Sequence, residues 1–173
     1  RANWTVARGL NLFADMQYRY VHYEAWGVND NYDEASGGMQ PIDVDETYHF
    51  FNPRAGVSYT LAKRHNFYFS FAVAQKEPTR SDFTDRYMFS GDDSYPSSEK
   101  LYDYELGYDY SSPRFSAGVN LYYMKYKDQL VHTGMVNDSS DALNVNVPDS
   151  YRRGIELTAS WRVTGWFTAG ANA

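Results

Sequence analysis

Residues 51–73 alternate with a period of two, and one of the two faces this creates carries no charge. Phe51, Pro53, Ala55, Val57, Tyr59 and Leu61 lie on that face. After a polar, basic turn (Ala62-Lys63-Arg64-His65-Asn66) it continues through Phe67, Phe69, Phe71 and Val73. The opposite face holds Asn52, Arg54, Gly56, Ser58 and Thr60, then Tyr68, Ser70, Ala72 and Ala74. Successive strand side chains point to opposite sides, so the pattern predicts a long antiparallel hairpin with one wholly apolar side. Whatever covers that side decides the fold.

The same beat recurs along the chain. Leu12, Ala14, Met16, Tyr18 and Tyr20 alternate with Asp15, Gln17 and Arg19 within 10–23. Tyr102, Tyr104, Leu106, Tyr108 and Tyr110 alternate with Asp103, Glu105, Gly107 and Asp109. Phe115, Ala117, Val119, Leu121 and Tyr123 stand opposite Ser116, Gly118, Asn120 and Tyr122; Ile155, Leu157, Ala159 and Trp161 stand opposite Gly154, Glu156, Thr158 and Ser160. Residues 2–6 read as the tail of a strand and the stretch from Trp166 as the start of another, about eight strands in all. Short turns fall near residues 8, 64, 112 and 164, and long connections at 24–47, 76–99 and 127–150 lie between them. In the last of these, 129–136 and 142–147 read as arms that prolong a hairpin. Every short turn therefore falls at one end of the sheet and every long connection at the other.

A soluble β-sandwich also alternates apolar and polar residues. Three features favour a transmembrane barrel. The runs reach the roughly 9–11 residues that a tilted strand needs to cross a bilayer. Short turns at one end and long loops at the other match an outer-membrane barrel. Tyr20, Tyr59, Tyr102, Tyr104, Trp161 and Trp166 gather near strand ends, as interfacial aromatic belts require. Aromatic residues make up 18% of the chain, yet mean hydropathy is only −0.65 and no run approaches the roughly 18 apolar residues of a spanning helix. A net charge of −6 argues against nucleic acid as a partner, and the absence of cysteine removes disulfide and thiolate chemistry. The fold class expected is all-β: an antiparallel transmembrane β-barrel segment, forming an open, curved sheet when taken alone.

Several ordered segments carry a more specific likeness: Phe51-Asn52-Pro53-Arg54-Ala55-Gly56-Val57, Glu77-Pro78-Thr79-Arg80-Ser81-Asp82-Phe83 and Leu101-Tyr102-Asp103-Tyr104-Glu105-Leu106-Gly107-Tyr108. Asn120-Leu121-Tyr122-Tyr123-Met124, Tyr126-Lys127-Asp128-Gln129-Leu130 and Tyr151-Arg152-Arg153-Gly154-Ile155-Glu156-Leu157 complete the set. Together they resemble the barrel of a TonB-dependent outer-membrane receptor, particularly of the Bacteroidetes type. The resemblance implies a barrel of about 22 strands filled by an N-terminal plug. It also implies import of a scarce nutrient (an iron chelate, cobalamin or a glycan) driven from the inner membrane through a TonB box. On this reading residues 1–173 are a partial barrel domain from the C-terminal half, without plug or TonB box, in the bacterial outer membrane. The partners implied are outer-membrane lipid, the plug and TonB complex, and a surface lipoprotein. The alternatives are a soluble β-sandwich binding ligands or carbohydrate, and a complete small outer-membrane barrel.

No catalytic constellation emerges, and no cofactor or metal is expected. His22, His49, His65 and His132 are scattered without metal-site spacing. Asp43, Asp45 and Glu46 lack the ordered spacing of a calcium loop, so the acidic stretch 24–47 reads as a solvated loop. Arg54, Asp103, Glu105, Arg114 and Glu156 should face the lumen, since Arg at the lipid midplane costs about 2–4 kcal/mol. Their first role is cross-strand pairing and plug contact; lining a substrate path is the sharper one. Pro78 should end pairing at the outer rim, with Arg80 and Asp82 ordering the loop beyond. Arg80, Phe83, Arg86 and Tyr87 are the candidate ligand contacts of the extracellular loops.

Overall fold

In the computed structural model, which describes residues 1–33, 37–84, 95–136, 140 and 142–173, nearly every described residue lies in one antiparallel sheet. The strands are β1 (Ala2–Ala7), β2 (Leu10–Asp33), β3 (Gly38–Leu61), β4 (His65–Lys76), β5 (Glu99–Ser111), β6 (Phe115–Val136), β7 (Ala142–Arg162) and β8 (Thr168–Asn172). They pair in sequence order, each with its chain neighbour, and one short helix, α1 (Arg80–Thr84), follows β4. Among the described residues there is one sheet and no second layer, which removes the sandwich alternative. β8 pairs with β7 and β1 with β2, with no ladder joining β8 to β1 or β2, so the sheet is open and is not a closed small barrel.

Register aligns the apolar positions into rows that cross the sheet. One row runs Leu12–Val57–Phe69–Leu106–Leu121–Ile155, and the next Leu10–Tyr59–Phe67–Tyr108–Val119–Leu157. A one-residue slip would throw every member of a row onto the other face, so this alignment is what the alternation specifies. The rows are open to the surroundings: Phe69 is 42% exposed, Leu106 54% and Ile155 63%. A soluble protein does not present a continuous apolar band of this size to water.

The other face is built differently. Phe13 stands opposite Gly56, Tyr68 opposite Gly107, and Tyr122 opposite Gly154. In each pair the ring lies over the glycine so closely that a Cβ there would overlap ring atoms. Aromatic side chains thus cover the bare backbone that glycine leaves, and pin the register from the polar side.

The short turns lie where the sequence puts them. Ala62 and Lys63 both adopt positive φ (51° and 58°) in a turn that closes on the Leu61–His65 pair, so β4 begins at His65. Gly9 has φ 82°, and its carbonyl accepts from Thr60 N at 2.7 Å.

The long connections correct the sequence reading. Residues 24–47 are mostly ladder: β2 pairs with β3 from Leu10–Tyr59 up to Val28–Pro41, and again at Tyr32–Met39 and Asp33–Gly38. The acidic composition and Pro41 suggested a loop, but the ladder continues with alternating burial: Gln40, Val44 and Phe50 are buried, while Met39, Pro41, Asp43 and Asp45 are exposed. Pro41 is tolerated because β3 has only one neighbour at that height. β6 and β7 form a second tall hairpin, as the arms 129–136 and 142–147 suggested. β4 and β5 are short, at 12 and 13 residues against 24 for β2 and β3. The dozen extra residues of β2 correspond to about 40 Å along the strand.

Two measurements test this arrangement in the full-length protein. Leu106→Arg, in the middle of the exposed apolar row, is expected to destabilise the folded form in lipid vesicles by about 2–4 kcal/mol in denaturant titration. Gly107→Ala is expected to cost about 1–3 kcal/mol by displacing the Tyr68 ring. In a Tyr68→Ala background that cost should largely vanish, which a double-mutant cycle reads directly.

Candidate functional site

β3 leaves β4 just above the Arg54–Ala72 pair, at Pro53, which has no N–H to give a ladder. Above this point β3 follows β2 while β4 follows β5, and the sheet forks. Side chains close the gap. Gln75 Nε2 donates to the Phe51 carbonyl (2.9 Å) and to Asn52 Oδ1 (3.3 Å). Arg19 Nη1 donates to Glu77 Oε1 at 3.0 Å, and Nη2 reaches both Glu77 Oε2 and the Gln75 carbonyl. The guanidinium also lies 4.8 Å from the ring centroid of Phe50, which is only 2% exposed. Planar, bidentate pairing of this kind is the strong form of an ion pair.

Pro78 is buried at the end of this bridge, and α1 begins directly after it. Asp82 reaches back to the start of the helix: the Thr79 N–H (2.6 Å) and hydroxyl (2.7 Å) both donate to its Oδ2, the carboxylate arm of a capping box. The remaining oxygen, Asp82 Oδ1, accepts from Asn144 Nδ2 of β7 at 2.6 Å. Asp82 therefore orders the loop as expected, but its partners are Thr79 and Asn144 rather than Arg80. On the other side, Asn29 of β2 donates to the Thr84 carbonyl (3.0 Å) and to Gln40 Oε1 (2.7 Å). Phe83, 3% exposed, stacks on Tyr23 of β2 at 5.2 Å and meets Tyr95 edge-on at 5.7 Å. The returning chain is tied to β7 as well, since Ser97 and Asn146 exchange two hydrogen bonds of 2.8 and 3.0 Å. The short helix is thus held between the two tall hairpins, and most of the deeply buried side chains gather here: Val44, Phe50, Phe83, Tyr126 and Leu143.

Beside α1 lies an open cleft of about 790 Å³, with Asn29 and Ile42 of the first hairpin on one wall and His132 and Asn144 of the second on the other. Thr79, Arg80 and Ser81 line its helix side. Arg80 is exposed and supplies a cation; the remainder are mostly neutral donors and acceptors, suited to an oxygen-rich solute. Of the candidate loop contacts, Arg80 lines this cleft, whereas the Phe83 ring is consumed in packing. Arg86 and Tyr87 lie outside the described residues. Sequence reading noted His132 only as one of four scattered histidines and passed over Asn29 and Asn144, because they lie in separate hairpins that only the folded sheet brings to one cleft.

Lower down, Arg54, Asp103, Glu105 and Glu156 share the face opposite the apolar rows. Arg54 and Asp103 both pair with Ala72, Glu105 pairs with Ser70 and Tyr122, and Glu156 with Asn120. Among the described residues none of the four forms an ion pair; Arg54 instead lies 5.6 Å from the Phe13 ring centroid. Asp103 Oδ1 and Asn120 Oδ1 are buried on this face with no hydrogen-bond partner. Arg114 stands apart from them, in the turn before β6, where its carbonyl accepts from Arg162 N at 2.8 Å. The histidines make local contacts: His49 with the Tyr18 hydroxyl (2.7 Å), His65 with that of Tyr108 (2.8 Å), His22 with Thr47 (3.1 Å). Among the described residues no group of three or more His, Cys, Asp or Glu is placed to hold a metal.

A meander of bilayer-length strands, with one uncharged exposed band and tall hairpins at one end only, defines part of the wall of an outer-membrane β-barrel. The model of the family "TonB dependent receptor-like, beta-barrel" matches residues 1–173, and the chain belongs to that family, whose members are outer-membrane receptors rather than enzymes. That match does not separate the Bacteroidetes type from the rest. No curated protein matches by sequence. Among solved structures, "Copper transporter OprC" superposes with a TM-score of 0.79 at 16% identity, over 98% of this chain and 26% of that one. The FrpB iron transporter from Neisseria meningitidis (F3-3 variant) gives 0.65 at 20% identity, over 95% and 23%. The Serratia marcescens hemophore receptor HasR, in complex with its hemophore HasA and heme, gives 0.60 at 16%, over 94% and 29%. The chain thus spans about a quarter of the length of these receptors.

Electrostatics at the rim give a pH test. Burial pushes the Glu77 carboxyl up, but the hydrogen bond and charge of Arg19, with help from Lys76, outweigh it and hold the group below its ordinary 4.5. Burial first, then Glu46 and Glu77, push the nearby Tyr48 phenol up to about 12. A carboxylate with a lowered pKa stabilises the fold above its unfolded value and loses that contribution as pH falls through the folded one. Amide hydrogen exchange over residues 77–84, corrected for intrinsic rates, should therefore show protection that persists above pH 4.5 and declines below it. Glu77→Gln should remove most of that dependence.

Proposed function

We propose that this chain supplies barrel wall and extracellular vestibule to an outer-membrane active transporter that imports a scarce nutrient with TonB-coupled energy. The observation that carries the reading is the cleft between the two tall hairpins, set above an uncharged lipid band in a chain that matches the receptor barrel family throughout. The superposed receptors, described as transporters of copper and iron and as a hemophore receptor, favour a metal chelate or heme over a glycan. An iron chelate is the first substrate to try, with cobalamin and glycans as the others. Arg80 and His132 are the proposed ligand contacts, a guanidinium and an imidazole that both line the cleft. Arg54, Asp103, Glu105 and Glu156 are proposed to face the lumen. There the unpartnered oxygens of Asp103 and Asn120 suit the backbone amides of a plug domain. A plug, the TonB complex and a surface lipoprotein remain the proposed partners.

The test is uptake by cells that carry or lack the full-length receptor, using radiolabelled ferric catecholate, heme, cobalamin and a defined oligosaccharide as probes. One probe should enter only when the receptor is present, and a protonophore should abolish that uptake; receptor-dependent uptake that survives the protonophore would refute energy coupling. For that probe, Arg80→Ala is expected to raise the half-saturating concentration about tenfold or more, the loss associated with one charged hydrogen bond. Unchanged half-saturation would remove Arg80 from the site.

A further inference from the structure

At the long-loop end of the sheet the lipid-facing side changes character over one turn of register. Moving outward from Leu106, Leu121 and Ile155, it passes through a belt of Tyr104, Tyr123 and Tyr151, with ring centroids 6.3 and 6.1 Å apart in succession. On the same face Arg153 stands level with Tyr104 and Tyr123, Lys125 level with Tyr151, and Lys100 and Lys127 one step further out. Lys100 pairs with Lys127 across β5 and β6, Lys125 with Tyr102, and Arg153 with Tyr123. Opposed lysines on neighbouring strands repel, and nothing in the ladder requires them. Among the described residues one carboxylate forms ion pairs with the group: Asp149 lies 2.9 Å from Lys127 and 3.7 Å from Lys125. Both lysines remain nearly half exposed. Lys100 Nζ lies 5.0 Å from the Tyr102 ring centroid and the Arg153 guanidinium 5.8 Å from that of Tyr151, so both charged heads lie against the rings of the belt. In a chain with a net charge of −6, this concentration of cations on the membrane side is a local reversal of sign.

We propose that Lys100, Lys125, Lys127 and Arg153 form a docking site for the phosphate groups of an anionic outer-leaflet lipid. The position sets the occupant, because a tyrosine belt marks the interface with the headgroups, and cations in its rows and one step outside them meet headgroup phosphates. Arg153 can take a phosphate in bidentate fashion, and the lysines supply neighbouring point charges. Asp149 competes for the same cations. The inference rests on assigning the uncharged face to lipid.

The test uses the full-length receptor in mild detergent, titrated with a diphosphorylated glycolipid and with the same glycolipid after phosphatase treatment, read by native mass spectrometry. The phosphorylated form is expected to bind at least about tenfold more tightly. The combined variant Lys100→Gln, Lys125→Gln, Lys127→Gln and Arg153→Gln should lose that preference, while Lys63→Gln with Arg64→Gln, at the opposite end of the sheet, should keep it. Asp149→Asn should strengthen binding, a gain that misfolding does not mimic. Retained preference in the fourfold variant, equal loss in the Lys63/Arg64 variant, or weaker or unchanged binding by Asp149→Asn would overturn the proposal. A receptor that stays monodisperse without detergent would overturn both the proposal and the membrane assignment beneath it.

Discussion

A strand that faces lipid cannot leave a backbone N–H or C=O unpaired, because no water is present to satisfy it. That requirement organises the molecule. It explains a meander in which every strand pairs with its chain neighbour, since short turns then secure complete ladders without crossovers. It also explains why glycines on the inner face are covered by rings rather than left open. Phe13 over Gly56, Tyr68 over Gly107 and Tyr122 over Gly154 shield the backbone where a larger residue would have kept the ring away. The apolar rows contribute no protein core; their burial is against the bilayer.

Where the bilayer ends, the rule lapses and the architecture changes. Above Pro53 the sheet splits into two tall hairpins and a short strand pair between them. Backbone groups freed by the split are taken up by Gln75 and Arg19, and the Arg19–Glu77 pair fixes the chain's exit from β4. The Thr79–Asp82 hydrogen bonds then tie down the start of α1, and Asp82 carries the tie across to Asn144. Residues from both hairpins thereby surround one cleft. The buried aromatic and aliphatic side chains at this level are what a soluble domain would call its core, displaced here to the outer rim.

The two ends of the sheet meet different solvents, and the charge distribution follows. On the face opposite the apolar rows, Arg54, Asp103, Glu105 and Glu156 form no ion pairs among the described residues, and Asp43 and Asp45 of the first hairpin are exposed. The cations at the tyrosine belt sit on the lipid side, where phosphate is the abundant counter-charge. Each placement lowers the electrostatic cost of the strand that bears it.

Much of this was legible in the chain. Period-two alternation between Phe51 and Trp161 identified the lipid face, because a strand wet on one side and greasy on the other must alternate. Basic, glycine-containing or proline-containing turns near residues 8, 64, 112 and 164 marked the short-turn end and hence the orientation. The ladder through residues 24–47 was not legible, since its acidic residues, Gly37-Gly38 and Pro41 read as loop, and Gln40 and Val44 are buried on one side only by partners from other elements. Nor was the role of Asp82, whose second partner lies 62 residues away on β7, or that of Arg19, whose partner Glu77 lies 58 residues on. Sequence alone determined which side of each strand meets lipid, because that is a local property of adjacent residues. Tertiary structure alone decided the rim, because the cleft is made by side chains brought together from separate hairpins, and only the register of the whole sheet sets those distances.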